Sequence, residues 1–279
     1  MELGVGLPAV VPGTSADLIL RWARDADAAN FSTLGVHDRL AWDGFECLGV
    51  LNAAAAVTER IRLASLVLIA PLRPATLIAS QAAAIQRLAQ GRLTLGVGIG
   101  PRRDDYEAAG AAFGTRGRRL EDQLHELHQL WDAGLTRPRL LVGGGGDAAL
   151  ARMARHSDGY VHGGGPARAF KSAADRALTA WYDAGRTGQP RLVGTGYFAL
   201  GGAEAEGKEF LRRYYRFVGP FAERIADGIL TGKAEIEELA AGYAEAGCDE
   251  LVLFPTVPRL DQLERLAEVA KGPASLGSR

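Results

Sequence analysis

The chain has 279 residues, of which 47% are hydrophobic, and its 32 basic and 33 acidic side chains leave a formal net charge of −1. This balance argues against nucleic-acid binding, which needs a basic face, and no apolar run in the sequence is long enough to span a bilayer. MELGVGLPAVV has no basic leader, and Cys47 and Cys248 form no paired motif, so we expect a reduced cytoplasmic protein without nucleic-acid or membrane partners.

Eight short apolar runs have the composition of buried parallel strands, since they are rich in β-branched residues and end in glycine, proline or a charged residue. In chain order they are Leu3–Pro8, Thr33–Asp38, Ile61–Ala70, Leu93–Gly100, Arg139–Gly145, Gly159–Gly164, Leu192–Leu200 and Glu250–Thr256. Most of them are separated by segments with helical periodicity. In the first of these, SADLILRWARDADAANF, an apolar stripe runs from Leu18 to Ala29 after Ser15, a residue that favours the helix N-cap.

The alternation of strands and helices predicts a (β/α)8 TIM barrel as a single domain over 1–271, followed by a flexible tail over 272–279. The alternative is a doubly wound open sheet, which usually carries a dinucleotide fingerprint in its first unit, and this first unit has none. A long connection between the seventh and eighth strands predicts a helical insertion over 201–233. Insertions of this kind usually cover the active-site face of a barrel.

Two glycine clusters follow neighbouring predicted strands. The fifth strand ends in Gly143, Gly144, Gly145 and Gly146, and the sixth in Gly163, Gly164 and Gly165. Residues without side chains let an anion approach the free amides at a helix amino end, whereas a tight turn would need only one or two glycines. The clusters therefore favour a phosphate site. No GxxxxGK[ST] motif is present, which argues against a nucleoside triphosphatase.

The fourth strand and the segment after it, GVGIGPRRDDYEAAGAAFGTRGRRLED, combine glycines with arginines. The alternating Gly96, Gly98 and Gly100 would either let a flat ligand lie against the backbone or relieve crowding inside the barrel. One or two of the arginines are expected to contact an anion, and the candidates are Arg102, Arg103, Arg116, Arg118 and Arg119.

The second strand ends in His37, Asp38 and Arg39, at the carboxyl end where barrel enzymes place catalytic groups. We predict catalytic roles for His37 and Arg39. Trp42, a little further along, is expected to give the substrate pocket an apolar wall.

Other catalytic signatures are missing from the sequence. His125 and His128 stand at i and i+3 without a third ligand nearby in the chain, so we predict no metal site. No G-x-S-x-G elbow or Cys–His nucleophile signature is present either. A glycine cradle without obvious acid–base machinery indicates an enzyme whose chemistry belongs to a cofactor.

Three segments resemble the luciferase-like flavin-dependent oxidoreductases, also called the bacterial luciferase family. They are 56–114, which contains QRLAQGRLTLGVGIG, then RPRLLVGGGGDAALARMARHSDGYVHGG, and AGCDELVLFPT. The resemblance implies a (β/α)8 barrel that binds FMN, or the deazaflavin coenzyme F-420 in a sister group, at the carboxyl ends of its strands. It also implies a non-prolyl cis peptide near Leu66, Val67 and Leu68, in a bulge against the flavin ring.

The same resemblance implies that Gly144–Gly146, helped by Arg118 or a neighbouring arginine, hold the flavin phosphate, and that Gly163–Gly164 line the same pocket. This chain also departs from the family. The usual insertion after the fourth strand is nearly absent, so the pocket is either more open or closed by the later insertion. The residues of that insertion expected to close the substrate pocket are Tyr214, Tyr215 and Phe217.

Further departures bear on the cofactor. Arg39 stands where deazaflavin enzymes of the family often have histidine, and Ile99 where bacterial luciferase has arginine. The leading prediction is a monooxygenase that uses reduced FMN on a small organic substrate. A separate reductase would supply the flavin, because no nicotinamide-binding unit is visible, and the family implies a homo-oligomer. The alternatives are hydride transfer with the deazaflavin and a non-catalytic flavin-binding protein.

Overall fold

The computed structural model describes residues 1–271, and its strands form one closed parallel barrel in sequential order. The strands are β1 Glu2–Gly6, β2 Thr33–Val36, β3 Arg62–Ile69, β4 Leu93–Gly98, β5 Arg139–Gly143, β6 Gly159–His162, β7 Arg191–Phe198 and β8 Glu250–Pro255. All eight predicted strands are confirmed, with ends shifted by one or two residues. The fold is therefore a (β/α)8 TIM barrel. The predicted flexible tail over 272–279 lies outside the described residues.

Helices cover the outside of the barrel. They are α1 Ala16–Ala28, α2 Cys47–Val57, α3 Ala75–Leu88, α4 Arg103–Ala108, α5 Arg116–Asp132, α6 Asp147–His156, α7 Ala167–Asp183, α8 Glu204–Tyr214, α9 Phe221–Asp227, α10 Lys233–Glu245 and α11 Leu260–Ala270. Helix α1 begins as expected, with the Ser15 hydroxyl accepting from the Leu18 amide over 3.1 Å. The periodicity missed α2 because CLGVLNAAAAV is apolar on nearly every face. Within residues 1–271, no helix combines the length and apolar character needed to cross a membrane.

The amino-terminal end of the barrel is closed by an ion-pair network. Arg62 of β3 donates to Glu2 over 2.7 Å and to Glu250 over 2.9 Å, and Arg191 of β7 reaches Glu250 over 2.8 Å. Above this network lies a layer of small and branched apolar side chains, among them Ala64, Leu141, Val161, Val193 and Val252. Because side chains of residues 1–271 fill this end, we expect a ligand to enter the barrel from the carboxyl ends of the strands.

A bulge in β3 points Val67 toward the neighbouring strands. The β3–β4 register shifts between Ser65 and Leu68, and the Leu66–Val67 peptide is cis, at the predicted place. A Cβ atom on Gly98 would lie 2.7 Å from a Val67 methyl group, and one on Gly143 would lie 2.9 Å from the other. Glycine at these two positions therefore makes room for the bulge, so relief of crowding accounts for Gly98.

Candidate functional site

A cavity of about 540 Å³ opens at the carboxyl ends of the strands. Its size is in the range usual for cofactor and substrate sites. The predicted site residues that line it are His37, Leu66, Val67, Gly98, Gly143, Gly144, Gly145, Gly163, Gly164, Tyr214 and Tyr215. Nine predicted sites from five separate strands and two from the helical insertion thus meet around one space.

The glycines after β5 form a cradle of free amides. Within residues 1–271, the backbone N–H groups of Gly144, Gly145 and Gly146 have no hydrogen-bond partner, and α6 begins immediately after them. A Cβ atom on Gly145 or on Gly163 would meet open space. The amino end of α6 and these bare amides are suited to an anion such as a phosphate. Gly146 caps α6 but does not line the cavity.

A hydrogen-bond chain begins at His37, whose ring stacks on Phe254 with centroids 3.6 Å apart. His37 Nδ1 lies 2.7 Å from the Leu66 carbonyl, which can only accept, so this nitrogen carries the hydrogen. In the neutral ring Nε2 is then an acceptor, and Tyr197 Oη donates to it over 3.3 Å. Tyr215 Oη in turn donates to Tyr197 Oη over 2.6 Å.

The three side chains of this hydrogen-bond chain, His37, Tyr197 and Tyr215, are neutral near pH 7. Burial, together with the nearby charge of Arg102, lowers the pKa of His37 to about 4 despite the opposing hydrogen bond to the Leu66 carbonyl. Burial raises the pKa of Tyr197 well above its usual value, and the pKa of Tyr215 is also raised by burial. These three side chains can therefore pass a proton to a bound ligand, or share one with it, while none of them is ionised.

Arg39 forms a buried ion pair away from the cavity lining. Its Nε donates to Asp105 over 2.8 Å, and its Nη2 donates to Asp104 over 3.0 Å. The side chains of Arg39 and Asp105 are 2% and 0% exposed. The structure thus places the predicted catalytic arginine where it joins the β2–α2 connection to α4.

Four other predicted residues also lie outside the lining. Trp42 donates to the Val10 carbonyl over 2.8 Å and packs edge-on against Tyr214, behind the cavity wall. Leu68 is fully buried, and Phe217 is 40% exposed beside the guanidinium of Arg102. Arg118 is exposed on α5, whereas Arg116, two positions earlier, reaches the cavity.

The fold agrees with a comparison of the whole sequence with protein families. A sequence model of the luciferase-like monooxygenases matches residues 1–253. The chain belongs to this family. The resemblance inferred from the sequence motifs is thereby confirmed.

Individual relatives show how far the likeness extends. An uncharacterized protein of Mycobacterium tuberculosis is 31% identical over 207 residues, which are 59% of this chain and 72% of that protein. An FMNH(2)-dependent dimethylsulfone monooxygenase of Pseudomonas fluorescens is 27% identical over 153 residues, covering 47% of this chain and 42% of its own length. An F420-dependent secondary alcohol dehydrogenase, solved with an F420–acetone adduct, superposes with a TM-score of 0.81 over 96% of this chain and 97% of its own, at 14% identity. That last similarity shows the fold alone.

Sequence reasoning missed five lining residues on β6 and β7: Tyr160, Val161, His162, Thr195 and Tyr197. The signal for the two on β7 was the alternation along LVGTGYFAL, where Val193, Thr195 and Tyr197 share one strand face. Which face points inward depends on the closure of the barrel. His162 Nε2 is buried without a partner among residues 1–271, and burial lowers the pKa of this ring.

The histidines of α5 have a neighbour that the sequence did not reveal. His156, at the end of α6, brings one ligand atom to within 4.8 Å of those of Glu121 and His125. However, Glu121 already pairs with Arg152 over 3.2 Å and with Arg155 over 2.9 Å. These guanidinium groups neutralise the carboxylate that a cation would need.

Proposed function

We propose that this chain is a flavin-dependent oxidoreductase that binds reduced FMN and acts as a monooxygenase on a small organic substrate. The observation that carries the proposal is the glycine cradle of β5 and α6, which faces the same cavity as the Val67 bulge. One end of this cavity suits a phosphate and the other end suits a planar ring. The related dimethylsulfone monooxygenase of Pseudomonas fluorescens is FMNH(2)-dependent, which supports FMN over the deazaflavin.

The residues present fit such a cofactor. Gly144 and Gly145 offer amides to a phosphate, and the amino end of α6 adds a favourable dipole. Arg116 also lines the cavity and forms no ion pair among residues 1–271. Val67 and Leu66 provide an apolar surface from the bulge of β3. Reduced FMN would supply the electrons for oxygen activation, which no side chain in this cavity can supply.

The side chains around the bound cofactor would hold protons and exclude water. His37 and Tyr197 present neutral polar atoms to the cavity, and Tyr215 connects them to the insertion. Tyr214, which is 4% exposed, covers the cavity from α8. A covered cavity of this kind protects reactive intermediates from water.

The test is the substitution Gly145→Val, measured by FMN and coenzyme F-420 titrations that follow cofactor fluorescence. A Cβ atom at this position meets no atom of residues 1–271 within 4 Å, apart from its chain neighbours, so the fold should persist while the phosphate is displaced from the amides. We expect FMN to bind the wild type and the variant to lose at least tenfold in affinity. The matched control is Gly232→Val, since a Cβ atom on Gly232 would also meet open space, and this glycine has extended backbone and lies outside the lining.

The outcomes separate the alternatives. If the protein binds the deazaflavin and not FMN, the proposed monooxygenase activity is wrong and hydride transfer takes its place as the proposed function. Equal FMN affinity in wild type and Gly145→Val would overturn the phosphate assignment. A chain that binds neither cofactor would overturn the proposed function altogether. Cofactor binding without substrate-dependent oxygen uptake or cofactor oxidation across a substrate screen would favour a non-catalytic flavin-binding protein.

A further inference from the structure

Among residues 1–271, the guanidinium of Arg102 is a buried cation without an acidic partner. Arg102 is 8% exposed and lines the cavity. Its single hydrogen bond within residues 1–271 runs from Nη2 to the Tyr214 carbonyl over 3.1 Å, and its Nε is buried without a partner. Buried charges in proteins are usually paired, and an unpaired one is costly. The guanidinium of Arg102 therefore has N–H donors that are available to a ligand.

Aromatic rings hold this cation in place from the insertion. The centre of the guanidinium lies 4.3 Å from the ring centroid of Tyr214, 4.4 Å from that of Phe217 and 5.4 Å from that of Tyr215. Cation–π contacts and the carbonyl at the end of α8 partly offset the desolvation of the charge. They leave most of its N–H donors free, because the ring faces accept none of the in-plane hydrogen bonds that a carboxylate would.

The neighbouring charges do not neutralise it. Asp104 and Asp105 bind Arg39, and Asp38, the acidic residue of the lining, forms a 2.7 Å ion pair with Arg73. Arg102 influences the pKa values of His37, Tyr197 and Tyr215, so its charge lies at the end of the cavity that holds the hydrogen-bond chain. The glycine cradle of β5 and α6, with Arg116, offers the phosphate other groups of the same cavity.

We infer that Arg102 is the recognition site for a carboxylate on the substrate, so that the substrate class of this enzyme is small organic acids. The planar guanidinium matches a carboxylate in a two-point hydrogen bond. The bound acid would lie beside His37 and Tyr197 and beneath Tyr214 and Tyr215 of the insertion. This inference rests on the proposed function, since it assumes that the cofactor fills one part of the cavity and the substrate fills the part beside Arg102.

The test compares acids with uncharged analogues of the same shape. We would titrate linear carboxylates, from acetate to octanoate, and their primary amides into the cofactor-loaded protein and measure binding by calorimetry. Tryptophan fluorescence is a second readout, because the ring centroid of Trp42 lies 5.3 Å from that of Tyr214. We expect at least one carboxylate to bind tenfold or more tightly than its amide, as a hydrogen bond to a charged group implies. Arg102→Met should abolish this preference and Arg102→Lys should retain part of it.

The neighbouring Arg103 is the matched control, because it is exposed, lies outside the lining and stacks on Phe113. Arg103→Met should keep the full preference for the acid. Equal binding of acids and amides at every chain length, or no binding of any acid, would overturn the inference while leaving a cofactor-binding protein intact. A large loss of cofactor affinity in Arg102→Met would also overturn it and would assign the arginine to the cofactor.

Discussion

The buried carboxylate of Asp105 is expected to hold the β2–α2 connection against α4. One oxygen accepts from Arg39 Nε over 2.8 Å, and the other accepts from the amides of Leu40 and Ala41 over 2.9 and 2.8 Å. Asp105→Ala would leave the buried guanidinium of Arg39 with the exposed Asp104 and a 3.4 Å contact to the Ala41 carbonyl, and it would leave two amide groups without their acceptor. The β2–α2 connection would then lose three hydrogen bonds that attach it to α4.

The expected loss of stability in Asp105→Ala follows from the burial of the Arg39–Asp105 ion pair. Removing one member of a buried ion pair costs about 3–5 kcal/mol of unfolding free energy. Asp104 bonds the same arginine over 3.0 Å but is 51% exposed. Asp104→Ala should therefore cost no more than about 1 kcal/mol, as exposed ion pairs do. Asp105→Asn should lie between the two, because the amide oxygen can still accept from Leu40 and Ala41.

The assay is urea unfolding followed by circular dichroism, with thermal unfolding as a check. At about 2–4 °C per kcal/mol, the melting temperature of Asp105→Ala should fall by roughly 10 °C. A difference of less than about 1 kcal/mol between Asp105→Ala and Asp104→Ala would refute the reasoning, since burial would then not decide the strength of the pair.

Two further predictions concern the cavity. The fold lowers the pKa of His37 from 6.5 to about 4, so the stability of the wild type relative to His37→Gln should fall by roughly 3 kcal/mol as the pH drops through this interval. Chemical unfolding at several pH values measures it, and a difference that does not change with pH would contradict it. Gly98→Ala should cost about 1–3 kcal/mol because the new methyl group meets Val67, and adding Val67→Ala should recover most of that loss. Urea unfolding of the single and double variants measures this, and a double variant no more stable than Gly98→Ala would exclude the proposed contact.

Much of the architecture could be predicted from local patterns. Each strand is a short apolar run that ends in glycine, proline or a charge, and these properties belong to neighbouring residues. The two glycine clusters could be placed together because consecutive strands of a (β/α)8 barrel are neighbours in space. The same argument brought His37 to the correct end of the barrel. Helix α2 was missed because its local pattern is uniformly apolar and has no stripe to detect.

The roles of the arginines were decided by the tertiary structure. In the sequence, Arg39 and Arg102 each stand a few residues beyond a strand end; Arg39 follows Asp38, and Arg102 lies two residues before Asp104. In the fold, Arg39 finds Asp105, 66 residues away, and Arg102 contacts the Tyr214 carbonyl, 112 residues away. One charge is thereby neutralised and the other remains available. Local composition determined the strands and the cradle, whereas charge pairing depends on closure of the barrel, which brings distant residues within reach.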